Sequence, residues 1–181
     1  MVLQPQVILI AGPAGAGKTS IADRIAQEKG WIHLSEDCAW DKIKEGHPIH
    51  EPRTPAEEIL AQAMTVEHLV RAIADGTSVV LEFILYEDPP HPLLNYQQIL
   101  TKKNIPFTTC ILRPQVDEII RRIQKRGRED DADLDDRRQQ ATHQIRCLRS
   151  PYILDEWVID TTNIPLEELY EKHFKYLVTS D

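Results

Sequence analysis

The chain has 181 residues, 41% hydrophobic and 28% charged, enough apolar material for one substantial core, so a single domain over residues 1–181 is expected. Its net charge of −8 argues against a surface built to neutralise a nucleic-acid backbone, which draws affinity from clustered Lys and Arg. A small phosphate ligand held locally stays compatible.

In chain order, the apolar run Val7-Ile8-Leu9-Ile10-Ala11 predicts a buried first strand. It leads directly into Gly12-Pro13-Ala14-Gly15-Ala16-Gly17-Lys18-Thr19, which fits G-x-x-x-x-G-K-[ST]. The glycines let backbone N–H groups turn inward around an anion, and the following helix adds the positive end of its dipole. Lys18, expected to be exposed in this cradle, would reach the β- and γ-phosphates of ATP, and the Thr19 hydroxyl would meet Mg²⁺. Gly12 through Ser20 are therefore the expected nucleotide-binding residues. The helix continues through Ile21, Ala22, Ile25 and Ala26 and stops near Gly30.

Residues 31–35 read as a second strand and 38–45 as a short helix. Thr54 is a good N-cap, with Pro55 at the first helical position and Glu57 and Glu58 in the first turn. The apolar face of that helix is Ile59, Ala63, Val66, Val70 and Ile73, and Gly76 ends it. Residues 77–83 form a near-continuous β run carrying Glu82. Pro89-Pro90-His91-Pro92 breaks the chain, a helix follows over 93–103, and 107–112 is another strand. Val116, Ile119, Ile120 and Ile123 are the buried face of a helix ending near Gly127. A charge-rich segment, a helix to about Arg149, a strand over 157–160 and a last helix through Leu166, Leu169, His173 and Leu177 complete the chain. Short strands alternating with helices predict a parallel sheet covered on both faces.

In open α/β sheets ligands sit beyond the carboxyl ends of the strands. Asp37, just after the second strand, is placed to accept a proton from an attacking hydroxyl; it would equally serve as N-cap of the short helix. Glu82 inside an apolar strand needs a partner: it would either hold the magnesium shell and touch substrate, or pair with a nearby Lys or Arg. Arg122 and Arg126 share a helical face, and Arg128 leaves it after Gly127; they would cover the transferring phosphoryl group or form a solvated surface helix. Arg113 lies further back, at the end of its own strand. The acidic run from Glu129 to Asp136 would neutralise these arginines when no nucleotide is bound. Arg53 stands where a second substrate would be clamped. The pair His47 and His50 is set aside as a metal site, because Pro48 breaks the register and no further ligands cluster nearby. Cys38, Cys110 and Cys147 form neither a disulfide framework nor a metal motif. No apolar run is long enough to span a membrane and none reads as a signal peptide, so a cytoplasmic monomer or homodimer is expected.

The loop, Asp37 and the pair Arg122 and Arg126 together resemble the small P-loop kinases of the nucleoside-monophosphate-kinase-like group, especially the gluconate kinase, shikimate kinase, chloramphenicol phosphotransferase and zeta-toxin branch. The resemblance spans nearly the whole chain. It implies an α/β three-layer P-loop NTPase fold with a five-stranded parallel sheet in the order 2-3-1-4-5 and a short lid over residues 126–136. It also implies a small-molecule phosphoryl acceptor, a role for Asp37 on the acceptor hydroxyl, and a closing strand and helix over Val158 to Glu168 whose connecting loop often lies against the adenine. One departure stands out: the family often has Asp-Gly at the end of the third strand, where this chain has Glu82-Phe83. A nucleotide-dependent switch with slow ATPase activity and a nucleic-acid 5′-hydroxyl kinase are the alternative functions, the second disfavoured by the acidic balance.

Overall fold

The computed structural model describes residues 4–44, 54–127 and 133–177. At its centre is β1 (Val7–Ala11), flanked in parallel by β3 (Val79–Phe83) and β4 (Phe107–Leu112). All five residues of β1 are buried, which is why it reads as an unbroken apolar run. β2 (Ile32–Ser35) and β5 (Val158–Ile159) are the edge strands, and the order is β2-β3-β1-β4-β5.

Side chains alternate across a strand, so β1 feeds two cores. Ile8 and Ile10 join Val80, Cys110 and Leu112 beneath α1 (Lys18–Lys29) and α7 (Leu166–His173), with Ile21, Ile25, Leu169 and Phe174 on top. Val7, Leu9 and Ala11 join Leu81 and Phe83 on the opposite face, covered from α3 (Pro55–Ala74), α4 (His91–Lys102) and the end of α6 (Leu134–Cys147) by Leu69, Tyr96, Leu100 and Leu148. The result is the expected three-layer α/β fold with the expected strand order. Among the described residues no helix is long and apolar enough to cross a membrane.

Local chemistry explains most boundaries. Thr54 caps α3 through a full capping box with Glu57, and Gly30 and Gly127 end α1 and α5 (Val116–Arg126) in the left-handed conformation. Asp133 caps α6 by accepting from the backbone N–H groups of Asp135 and Asp136. The helix α4 starts at His91, earlier than expected, because proline is tolerated in a first turn.

Two expectations are corrected. The helix α2 (Glu36–Ile43) begins two residues early, with Ser35 at the N-cap position and Asp37 inside the first turn, so Asp37 does not cap it. The buried line of α3 is Ala61, Thr65, Leu69 and Ala72, while Ile59 is 71% exposed. Thr65 can turn inward because its hydroxyl donates to the Ala61 carbonyl at 2.9 Å, which removes the cost of burying it.

Candidate active site

The loop between β1 and α1 lies against the end of β4. A Cβ on Gly12, whose φ is +150°, would stand 2.5 Å from the Leu112 carbonyl oxygen, so only glycine fits there. Within the loop the Ala16 N–H donates to the Pro13 carbonyl at 3.2 Å. From above, Gln144 of α6 accepts from the Ala14 N–H at 3.0 Å, which ties the loop to the helix that follows the charge-rich segment.

Lys18 departs from expectation. It is 8% exposed, not open to solvent, and its Nζ donates to the Pro13 carbonyl at 3.0 Å. The aliphatic stem is covered while the ammonium closes the loop, as an amphipathic side chain can do. Burial pushes its pKa below the ordinary lysine value, the charges of Glu82 and Asp37 pull it back up, and Arg126 pushes it down again. The same lysine therefore senses a carboxylate on β3, another at the start of α2 and the last arginine of α5.

Glu82 is 4% exposed in the middle of the sheet. Its Oε2 accepts from the Thr19 hydroxyl at 3.0 Å. Its Oε1 lies 3.1 Å from Nε2 of His33, whose Nδ1 lies 2.8 Å from Oδ1 of Asp23. The partner of Glu82 is thus a histidine on the neighbouring strand, where a Lys or Arg was the expected pairing. Burial disfavours the Glu82 carboxylate, but the His33 bond, the Lys18 charge and the Thr19 bond outweigh it and hold the carboxyl below its usual value. The Glu82 bond raises the His33 pKa against burial, and Asp23 adds to the rise. Sequence reasoning assigned His33 no role. The period-two alternation of β2 puts His33 and Ser35 on one face, but only the register with β3, which sets Ser35 beside Glu82, brings His33 to that carboxylate.

Asp37 is exposed and projects from the first turn of α2. Its neighbour Glu36 is buried and accepts from the Tyr96 hydroxyl of α4 at 2.8 Å, which anchors the turn that carries Asp37.

The arginines divide into separate roles. Arg122 donates from Nε to Glu118 at 2.6 Å, from Nη1 to the Ala16 carbonyl at 3.0 Å and from Nη2 to the Thr161 carbonyl at 2.6 Å. It staples the loop to the segment after β5. Arg121 forms a two-pronged pair with the same Glu118, and the two guanidinium groups hold that buried carboxyl down to about 2. Among the described residues the counter-charge for Arg121 and Arg122 is Glu118 on their own helix, one turn back; Glu129 to Asp131 of the acidic run expected to neutralise the arginines lie outside the described residues. Arg126 ends α5 close enough to influence Lys18. Arg113 stands apart, near Asp160 beyond β5. Arg53, Arg128 and residues 128–132 of the expected lid lie outside the described residues.

Beside the loop is a cavity of about 370 Å³ whose walls include Gly17, Ser20, Arg121, Arg122, Asn163 and Pro165. It lies between the phosphate loop and the segment after β5, and its size and mixed polar and apolar walls suit a nucleobase. A second cavity, of about 590 Å³, is lined by Asp135, Arg138, Thr142, His143 and Arg146 of α6, and His143 lies 2.7 Å from the Tyr86 carbonyl just beyond β3.

A family model described as an AAA domain, AAA_33, matches residues 7–151. Among curated relatives, an adenylate kinase of Prochlorococcus marinus (strain NATL1A) is 28% identical over 172 residues, covering 91% of this chain and 84% of the relative. A guanylate kinase of Chlorobium chlorochromatii (strain CaD3) is 26% identical over 161 residues, covering 80% and 84%. Among solved structures, a sugar kinase from Janibacter sp. HTCC2649 superposes with a TM-score of 0.68 at 19% identity, covering 98% of this chain and 99% of that one. A shikimate kinase from Acinetobacter baumannii in complex with shikimate gives 0.64 at 16% identity, covering 96% and 93%. At these identities the structural likeness speaks for the fold. The family match, the phosphate loop and the strand order agree, and the chain belongs to the AAA_33 family of AAA domains, within the nucleoside-monophosphate-kinase-like P-loop group.

Proposed function

We propose that this protein is an ATP-dependent kinase that transfers the γ-phosphoryl group to a hydroxyl of a small molecule: a metabolite, a nucleoside or an antibiotic-like compound. The observation that carries the reading is the phosphate loop closed by the Lys18 ammonium, with the Thr19 hydroxyl on the Glu82 carboxylate at 3.0 Å and Asp37 projecting from the first turn of α2 within reach of the Lys18 charge. The relatives described as adenylate and guanylate kinases support phosphoryl transfer as the class of chemistry.

In this reading the loop N–H groups and Lys18 hold the β- and γ-phosphates, and Lys18 exchanges the Pro13 carbonyl for a phosphate oxygen. The base occupies the cavity between Arg121, Arg122 and the segment from Asn163 to Pro165. The Thr19 hydroxyl and the Glu82 carboxylate are hard oxygen donors on adjacent elements, the donor set that Mg²⁺ takes together with substrate phosphates. When bound, Mg²⁺ would neutralise charge on those phosphates. Asp37 orients the acceptor hydroxyl and takes its proton as the acceptor oxygen bonds to the γ-phosphorus and the bond from that phosphorus to the ADP oxygen breaks. Arg126, with Arg128 after it, covers the transferring group, while Arg122 holds the rim of the loop. Residues 126–136 act as the lid.

The test is ADP release measured with ATP, Mg²⁺ and panels of sugars, nucleosides, antibiotics and oligonucleotides. Release near background until one small acceptor is added is the expected result. Steady hydrolysis indifferent to every acceptor would favour a nucleotide switch, and stimulation by oligonucleotides alone would point to a 5′-hydroxyl kinase.

A further inference from the structure

The contacts around Glu82 form a closed ring. Thr19 and Asp23 lie four residues apart on one face of α1. Thr19 donates to one oxygen of Glu82; the other oxygen meets Nε2 of His33, and Nδ1 of His33 meets Asp23. The ring therefore leaves α1 at Thr19, crosses β3 and β2, and returns to α1 at Asp23. A glutamate has three side-chain torsions, and a bond at Oε2 alone leaves the carboxylate free to swing. The bond at Oε1 removes that freedom, and Asp23 in turn fixes the ring plane of His33. Both Glu82 and His33 are largely covered, with side-chain exposures of 5% and 17%.

We propose that His33 is a positioning residue that aims the Glu82 carboxylate at the Thr19 hydroxyl, and that Asp23 orients His33 for this task. The inference rests on the reading above in which Thr19 and Glu82 hold Mg²⁺. It goes beyond that reading by giving the site a histidine and an aspartate that act through the Glu82 carboxylate. Groups that orient metal-holding side chains from behind typically matter by about 10- to 100-fold in metal affinity.

The experiment measures binding of a non-hydrolysable ATP analogue by calorimetry, with Mg²⁺ and with a chelator, in the full-length protein and in His33→Ala, His33→Gln, Asp23→Asn and Glu82→Gln. The wild-type protein should bind more tightly with Mg²⁺. In His33→Ala that Mg²⁺-dependent gain should fall about 10-fold or more, while affinity in chelator stays unchanged because the loop and Lys18 are intact. His33→Gln, whose amide nitrogen can stand where Nε2 stood and donate to Glu82, should recover most of the gain. Asp23→Asn should lose less than His33→Ala. A His33→Ala protein that keeps the full Mg²⁺ gain while Glu82→Gln loses it would overturn the role of His33 and leave the Glu82 reading intact. Equal weakening with and without Mg²⁺, unrescued by Gln, would reduce His33 to a structural residue and overturn the proposal too. If Glu82→Gln itself keeps the gain, the metal reading fails first and the proposal falls with it.

Discussion

Replacing Gly12 by alanine tests whether the phosphate loop is built against the end of β4. The new Cβ would lie 2.5 Å from the Leu112 carbonyl oxygen, where ordinary contact begins near 3.4 Å, and the φ of +150° is one that side-chain-bearing residues avoid. The obstructing atom is backbone, and Leu112 is paired to Ile159 of β5, so it cannot turn aside as a flexible side chain would. Gly30 provides the control: its φ is +67°, and an added Cβ would meet nothing within 4 Å. Left-handed strain alone costs about 1–2 kcal/mol, and that should be the whole cost of Gly30→Ala. Gly12→Ala adds the overlap, by analogy with overpacking about another 1–3 kcal/mol. For a chain of this size each kcal/mol moves Tm by about 2–4 °C, so Gly12→Ala should melt on the order of 10 °C lower and Gly30→Ala about 4 °C lower. Equilibrium denaturation with unchanged m-values is the assay. If the two variants agree within about 0.5 kcal/mol, the spread ordinary for harmless substitutions, the close approach of loop and strand is wrong.

Lys18→Met keeps the buried stem and removes the charge, so phosphoryl transfer should fall by about 10²- to 10³-fold in turnover, with the circular-dichroism spectrum unchanged; turnover within a few-fold of wild type would remove Lys18 from the chemistry. Asp37→Asn should lower turnover by about 10² or more with little change in ATP affinity. Because Ser35 occupies the N-cap position of α2 and Asp37 adds only a first-turn charge, the same variant should lower the melting temperature by no more than about 1–4 °C. Glu118 is held at about 2 against an ordinary 4.5 by Arg121 and Arg122. A depressed carboxyl stabilises the fold fully above its unfolded value, and that contribution is lost as pH falls from about 4.5 towards 2. The stability gap between wild type and Glu118→Gln should therefore be flat near neutral pH and close across that window in urea titrations; a gap that persists at the acid end would deny the two-arginine clamp.

Much of this protein was legible in the order of its residues because the signals are local. The spacing of Gly12, Gly17 and Lys18 states a backbone demand that a strand-loop-helix unit meets within a few residues. The apolar runs of β1, β3 and β4 announce burial on both faces, and Thr54-Pro55 with Glu57 and Gly127 mark helix ends where they are found. Even Glu82 drew attention, since a carboxylate in an apolar strand demands a partner. What that partner would be was not readable. His33 is 49 positions away, and it reaches Glu82 because β2 pairs with β3 in the register that sets Ser35 beside Glu82. Arg122 reaches the Ala16 carbonyl across 106 positions and Thr161 across 39. Lys18 looked exposed because its motif describes a loop, and a motif carries no information about how closely β4, α5 and α6 pack around it. The face of α3 was read only in part for the same reason: Val66 and Ile73 pack against the core as expected, but Ile59 does not, because a helix with apolar residues on more than one side leaves its rotation to whatever it packs against. The sequence alone determined which elements form, the helix ends that carry a capping residue such as Thr54, Gly30 or Gly127, and that a phosphate loop stands between the first strand and helix; the other boundaries, strand register, helix rotation and the meeting of distant side chains were decided by the packed tertiary structure, because those contacts depend on chain segments that no local pattern brings together.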